Sequence, residues 1–184
     1  MLLARLDGGP VPAPRTEPVD LALLAAEDLA RRPSPRVPLR LDAPAPVPAA
    51  GDPARLERAL ANLVDNALRH ARTGVVVRAA TESAESAESP GGAGWTVLEV
   101  EDDGPGIPEA DRDRVFERFV RLDADRGRAG GGTGLGLSIV REITRAHGGE
   151  AHALPSRAGG PGIRLVLRLP AGGPGSATRS RSRS

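Results

Sequence analysis

Cysteine, tyrosine and lysine are all missing from this 184-residue chain, and aromatic side chains number three: two Phe and one Trp. Without cysteine there is no disulfide, no thiolate nucleophile and no cysteine-based zinc site. Without lysine there is no catalytic lysine, and all 25 cationic side chains are arginine. The scarcity of aromatics means that any core must be assembled from Leu, Val, Ile and Ala. No apolar run approaches the roughly 20 residues that a membrane helix needs. The opening Met1-Leu2-Leu3-Ala4-Arg5-Leu6-Asp7 is too short and wrongly charged for a secretory signal. A net charge of +1 sets up no global field toward nucleic acid or a membrane surface, so neither is expected as a partner.

What is present is sharply patterned. Residues 1–17 read as the last turn of a helix followed by a linker with Pro10, Pro12 and Pro14. A helix is expected over 19–32, with Leu21, Leu24, Ala25 and Leu29 as its apolar stripe and Asp20 as N-cap. Short strands are expected near 37–41 and 46–49. Asp52-Pro53 then opens a long helix, because Asp caps well and Pro suits the first helical position. Leu56, Leu60, Leu63, Val64 and Ala67 form its buried stripe, and Gly74 is expected to end it. Val75-Val76-Val77-Arg78 and Trp95 to Val100 read as paired strands flanking an acidic, Ser-rich insertion. Pro108 is expected to open a helix carrying Val115, Phe116 and Phe119. Residues 121–134 read as a mobile loop. A second strong helix is expected from about Leu135 to His147, with strands near 150–154 and 162–169. Residues 171–184 read as a disordered Gly/Ser/Arg tail. The pattern implies an α+β fold: a two-layer sandwich over 18–170, with a mixed, mostly antiparallel sheet covered on one face by helices.

Three segments carry candidate chemistry. Asn62 and Asn66 stand four residues apart and share a helix face. Their carboxamide oxygens are neutral hard donors of the kind that suits Mg²⁺ riding on phosphate, although a polar helix surface explains them equally well in isolation. Asp102 ends an apolar strand where glycines permit a sharp turn. It is either a selector of an exocyclic amine or an ordinary turn residue. Gly130 to Gly136 precede a helix and would allow close approach of phosphate to its N-terminus, or act as a simple hinge. Their spacing is neither that of a dinucleotide fold nor that of a P-loop. His147 and His152 are not spaced as a metal pair, and a structural or exposed role is expected of them.

Taken together and in order, these segments resemble the ATP-binding catalytic domain of sensor histidine kinases. That domain belongs to the wider superfamily, with the Bergerat fold, that includes type II topoisomerases and a class of heat-shock chaperones. Asn62 to His70 is similar to the family's asparagine box, and Asp102-Asp103-Gly104-Pro105-Gly106-Ile107 to its first glycine box. Phe116-Glu117-Arg118-Phe119 is similar to its phenylalanine box, and Gly132-Thr133-Gly134-Leu135-Gly136-Leu137 to its second glycine box. The resemblance implies that Asn66 holds Mg²⁺ with support from Asn62, and that Arg69 and His70 lie beside the phosphates of ATP. It implies that Asp102 reads the adenine amine in a pocket shaped by Gly104, Gly106, Ile107 and Leu137. Gly132, Thr133, Gly134, Leu135 and Gly136 would form a lid anchored by Phe116 and Phe119.

The same resemblance implies a kinase of a two-component system, with a phosphoacceptor hairpin domain and a response regulator as partners. A cytoplasmic location is expected for this piece, with membrane anchoring left to a parent chain. One departure is large. His70, His147 and His152 all fall inside the ATP-binding region, so the phosphoacceptor histidine is expected outside this sequence, which would make the chain a fragment or a truncated product. Asn62 also stands where the hydrolytic branches of the superfamily carry a glutamate base, which disfavours a free-standing ATPase. The alternatives are an anti-sigma-factor-type serine kinase and a nucleotide-binding module without turnover.

Overall fold

The computed structural model describes residues 16–43, 46–82, 94–121 and 134–171. The expected helix remnant and most of the linker, the core of the acidic insertion, the expected loop with Gly132 and Thr133, and nearly all of the C-terminal tail lie outside the described residues.

Two aspartates start the first two helices. Strand β1 (Glu17–Asp20) runs directly into α1 (Leu21–Ala30). Asp20 Oδ1 accepts from the backbone N–H of Ala22 at 2.9 Å and of Leu23 at 3.4 Å, and also from Val47 at 2.9 Å. One carboxylate therefore caps the helix and ties it to a neighbouring segment. Strands β2 (Leu39–Asp42) and β3 (Pro48–Gly51) follow. Asp52 then caps α2 (Pro53–His70), accepting from Arg55 N–H at 3.1 Å, with Pro53 in the first turn. Arg32, just past α1, bonds Asp28 at 2.7 Å and Asp65 of α2 at 2.5 Å, which locks the two helices side by side.

Strands β4 (Val75–Glu82) and β5 (Trp95–Asp102) form the expected antiparallel pair over eight positions, from Val75 opposite Asp102 to Glu82 opposite Trp95. After β5 come two short 3₁₀ turns (Glu109–Asp111 and Arg114–Phe116), then α3 (Gly136–Ala146), β6 (Glu150–Pro155) and β7 (Ile163–Pro170). The main sheet has the order β2-β4-β5-β7-β6, parallel only between β2 and β4, while β1 and β3 form a separate antiparallel pair. The helices cover one face. Leu56, Leu60, Leu63 and Val64 of α2 share a core with Val77 of β4, Val100 of β5, and Leu165 and Leu167 of β7. Each fully buried Leu contributes about 1.5–3 kcal/mol, so α2, with the most core residues, is the main source of stability in its layer. The mixed two-layer sandwich agrees with the expected fold class.

Three local expectations differ. Strand β1 was not foreseen; it exists because it can pair with β3. The helix expected after Pro108 is replaced by the two 3₁₀ turns, closed by bonds such as Asp111 N–H to Pro108 O at 2.9 Å. Apolar residues larger than alanine occur there only at Val115, Phe116, Phe119 and Val120, so no stripe repeats over enough turns to propagate a helix. Helix α2 stops at His70, before Gly74, because Asp103 captures the N–H groups of Arg72, Thr73 and Gly74. Among the described residues no helix is long and apolar enough to cross a membrane.

His147, one residue beyond α3, is fully buried. Its Nε2 accepts from Asp52 N–H at 2.9 Å, and its Nδ1 therefore carries the proton and donates to Ile143 O at 2.8 Å. Gly51 is required beneath the ring, since a Cβ there would lie 2.7 Å from His147 Cδ2. The imidazole thus joins the end of α3 to the start of α2. His147→Ala is expected to lower unfolding free energy by about 2–4 kcal/mol, from a lost buried hydrogen bond plus a cavity. Urea unfolding checks this, and a loss under about 0.5 kcal/mol would refute the structural role.

Candidate functional site

Strand β5 is buried at every position. Alternation along the strand sends Leu98, Val100 and Asp102 toward the helices, and Glu99 and Glu101 to the opposite face. Asp102 is 2% exposed. Its Oδ1 accepts from Gly104 N–H at 2.8 Å, while its Oδ2 is buried without any hydrogen-bond partner. Burial pushes the carboxyl up to about 6; the Gly104 bond opposes this, and the charges of Asp103 and Glu101 add to it. A buried oxygen acceptor lacking a donor is rare and costly, and an N–H from a ligand would relieve it.

The neighbouring Asp103 has the opposite environment. It accepts from Arg72 N–H at 2.7 Å and from Thr73 N–H at 2.9 Å, and also bonds the Thr73 hydroxyl. These donors outweigh the desolvation that opposes them and hold its carboxyl far below the usual range. Asp103 therefore fastens the end of α2 to the turn after β5, while Asp102 keeps one oxygen without a partner.

Glycine is obligatory around this turn. A Cβ at Gly104 would sit 2.5 Å from His70 O and 2.7 Å from Asp102 Oδ1. Gly106 has φ +77°, and its Cβ would lie 2.9 Å from Gly162 O. The close approach joins three segments: the last turn of α2, the turn after β5 and the start of β7. Ile107 is half-buried against the core, as is Leu137 of α3.

Along α2, Asn62 is half-buried. Its Nδ2 donates to Arg58 O at 2.8 Å. Its Oδ1 is turned toward the start of α3, where a Cβ on Gly136 would lie 3.2 Å away. Asn66 is half-buried one turn further on, Arg69 is exposed and His70 is half-buried. Leu135 is the half-buried cap residue of α3. Phe116 is 4% exposed, but Phe119 is 72% exposed and has φ +65°. Phe119 meets the second glycine segment through its main chain: its N–H donates to Gly134 O at 2.9 Å, beside Gly134 at φ +71°. The fold thus brings Asn62 to Gly136, His70 to Gly104 and Asp102, and Phe119 to Gly134.

A groove of about 430 Å³ between α2 and α3 is lined by Arg55, Arg58, Ile139, Glu142, Ile143 and Ala146. None of the site residues read from the sequence lines it. The fastening role of Asp103 and the contact of Gly162 leave only faint signals in the sequence, the doubled aspartate and the Gly-Pro-Gly before β7.

Residues 51–173 match the family described as histidine kinase-, DNA gyrase B-, and HSP90-like ATPases. The chain is 39% identical over 155 residues to the sensor histidine kinase CpxA of Escherichia coli, covering 84% of this chain and 30% of that protein. It therefore spans about a third of the length of this curated relative. The mycobacterial sensor histidine kinase MprB superposes with a TM-score of 0.66 at 32% identity, over 84% of this chain and 97% of that one. Full-length ShkA in complex with AMPPNP superposes with a TM-score of 0.65 at 27% identity, over 84% of this chain and 31% of that one. By these matches, this chain belongs to the histidine kinase-, gyrase- and HSP90-like ATPase family, as an ATP-binding domain of the sensor-kinase type.

Proposed function

We propose that this chain binds Mg-ATP and transfers the γ-phosphoryl group to a histidine on a helical hairpin domain, from which a response regulator takes it. The observation that carries the proposal is Asp102 Oδ2, a buried acceptor with no partner at the end of the central strand. The exocyclic amine of adenine would donate to it; guanine would bring a carbonyl acceptor against a carboxylate and be rejected. At Gly104, Gly106 and Gly162 the absence of a side chain lets three backbone segments close around that carboxylate.

The phosphate end falls to α2. A hard divalent cation takes oxygen ligands, few of them from protein. Among the described residues no group of three His, Asp or Glu is placed to hold a metal alone, so magnesium would take most of its ligands from phosphate and water. Asn66 would hold it, with Asn62 beside the phosphates, and Mg²⁺ when bound would neutralise charge on the transferring group. Arg69, exposed on the last turn, would add positive charge with His70 next to it. The Phe119–Gly134 bond would fix the end of a lid over the phosphates. Asn62 is a carboxamide and cannot take a proton from water, which favours transfer to a protein histidine over hydrolysis.

Incubation with labelled ATP and a separately prepared histidine-bearing hairpin domain tests the transfer: acid-labile label on the histidine is expected, and label on serine or none at all would refute it. Asn66→Ala is expected to weaken Mg-ATP binding by at least about tenfold while the melting curve stays cooperative; titration calorimetry with and without Mg²⁺ checks this.

Asp102 also links function to stability. Its carboxyl titrates higher in the fold than in the unfolded chain, so its contribution is intact below about pH 4 and is lost as pH rises toward about 6. Near neutral pH the ionised form costs on the order of 3 kcal/mol. Asp102→Asn is therefore expected to be more stable than the parent by roughly 1–2 kcal/mol at pH 7.5, since an unpaired amide N–H costs less than an unpaired charge. The gain should vanish near pH 4, and ATP affinity should fall at least about tenfold. Unfolding curves across this pH range, beside nucleotide titrations, measure both effects.

A further inference from the structure

The outer face of the sheet, opposite the helices, carries a cluster of charges that the nucleotide chemistry above does not use. Glu99 is 2% exposed and Glu101 is 9% exposed. Arg157, in the turn between β6 and β7, grips Glu99 with two bonds, Nε to Oε1 at 3.0 Å and Nη2 to Oε2 at 2.9 Å. Its backbone N–H donates to Glu101 Oε1 at 2.8 Å, and the Ser156 hydroxyl donates to the same oxygen at 2.7 Å. Arg164 adds a bond to Glu99 at 2.9 Å and another to Pro155 O at 2.7 Å. Arg78 reaches Glu99 at 3.1 Å and Glu101 at 2.5 Å from the other side. Burial pushes the Glu99 carboxyl up, but the bonds and charges of Arg157 and Arg164 overcome it and hold the group low, so it stays ionised. Glu101 is likewise held low, by Ser156, Arg78 and the Arg157 N–H.

This clamp lies one peptide bond from the candidate base pocket. Glu101 faces outward and Asp102 faces inward because successive strand residues alternate. The hairpin gripped from outside ends at Gly162, which has φ +132° and whose Cβ would fall 2.3 Å from Asp102 O. Gly162 O in turn abuts Gly106. The 156–162 segment is therefore held on one side by Glu99 and Glu101 and pressed on the other against the Asp102–Gly106 turn.

We infer that Arg157 is a positioning residue for the adenine pocket, clamping the β6–β7 turn onto Glu99 and Glu101 so that Gly162 backs the Asp102–Gly106 turn. The inference rests on the reading of Asp102 as the base-recognising group. Arg157 touches no nucleotide; it acts through Gly162. Bidentate arginine–carboxylate pairing to a buried partner fixes geometry as well as energy. Lysine, with a single ammonium, would restore charge but not the two-point grip.

The test titrates the whole chain and its Arg157→Ala, Arg157→Lys and Asp102→Asn variants with Mg-ATP, Mg-GTP and inorganic tripolyphosphate, after cooperative melting is verified for each. For Arg157→Ala, ATP affinity is expected to fall about fivefold and the ATP-to-GTP preference to narrow, while tripolyphosphate affinity holds; Arg157→Lys should recover part of the loss. A purely stabilising role would lower the melting temperature without moving the ATP-to-GTP ratio, and that result would overturn the inference. Equal losses for ATP and tripolyphosphate would overturn it as well. If Asp102→Asn itself leaves the ATP-to-GTP ratio unchanged, the base-pocket reading falls and takes the inference with it. A narrowed ratio in Asp102→Asn beside an unmoved one in Arg157→Ala removes the inference alone. If Arg157→Ala does not melt cooperatively, Arg157→Lys carries the test, and an unmoved ratio there is equally fatal.

Discussion

A carboxylate oxygen sealed from water with nothing donating to it is the interaction around which this domain is organised. Folding places Asp102 there although its ionised form is unfavourable. It can do so because the rest of β5 is buried and paired on both edges, so the strand position is over-determined by its neighbours. A defect tolerated in that setting is a stored demand for a hydrogen-bond donor. The adjoining Asp103, saturated with N–H groups, shows that the local chain can satisfy an aspartate when it is turned the other way.

Helix α2 links this point to everything else. Its first turn is capped by Asp52 and buttressed by His147, its middle presents Asn62 to the start of α3, and its last carbonyl meets Gly104. A helix rises about 1.5 Å per residue, so one rigid rod of eighteen residues sets the spacing between the start of α3 and the turn after β5. Precision in such a site comes from regular elements rather than loops, with glycines used where two backbones must nearly touch.

Much of this was legible in the sequence for specific reasons. Asp52-Pro53 and the Leu56-to-Ala67 stripe announce α2 through local chemistry alone, and the boundaries agree to within a residue at the start. Asp102 stands out because an apolar strand ends on it just before glycines. Its missing partner was not legible, since a lack of donors is a property of the whole environment. The 3₁₀ turns are hidden because Pro108 and the acidic residues after it imitate a helix start, while the decisive factor, a stripe too short to bury, is tertiary. Strand β1 and the contacts of Gly162 and Arg157 depend on segments distant in sequence. Phe119 engages Gly134 by its backbone at a positive φ, which side-chain chemistry does not advertise.

The single indole has a practical consequence. Trp95 is 4% exposed and packs with Val97 and Val166 on the sheet face away from the helices. With no tyrosine in the chain, ultraviolet emission on excitation near the red edge of protein absorbance comes from this one chromophore. It sits at the opposite end of β5 from Asp102 and across the sheet from the asparagine helix. Its fluorescence is thus a single-site optical gauge of whether the sheet is intact, read from the far end of β5.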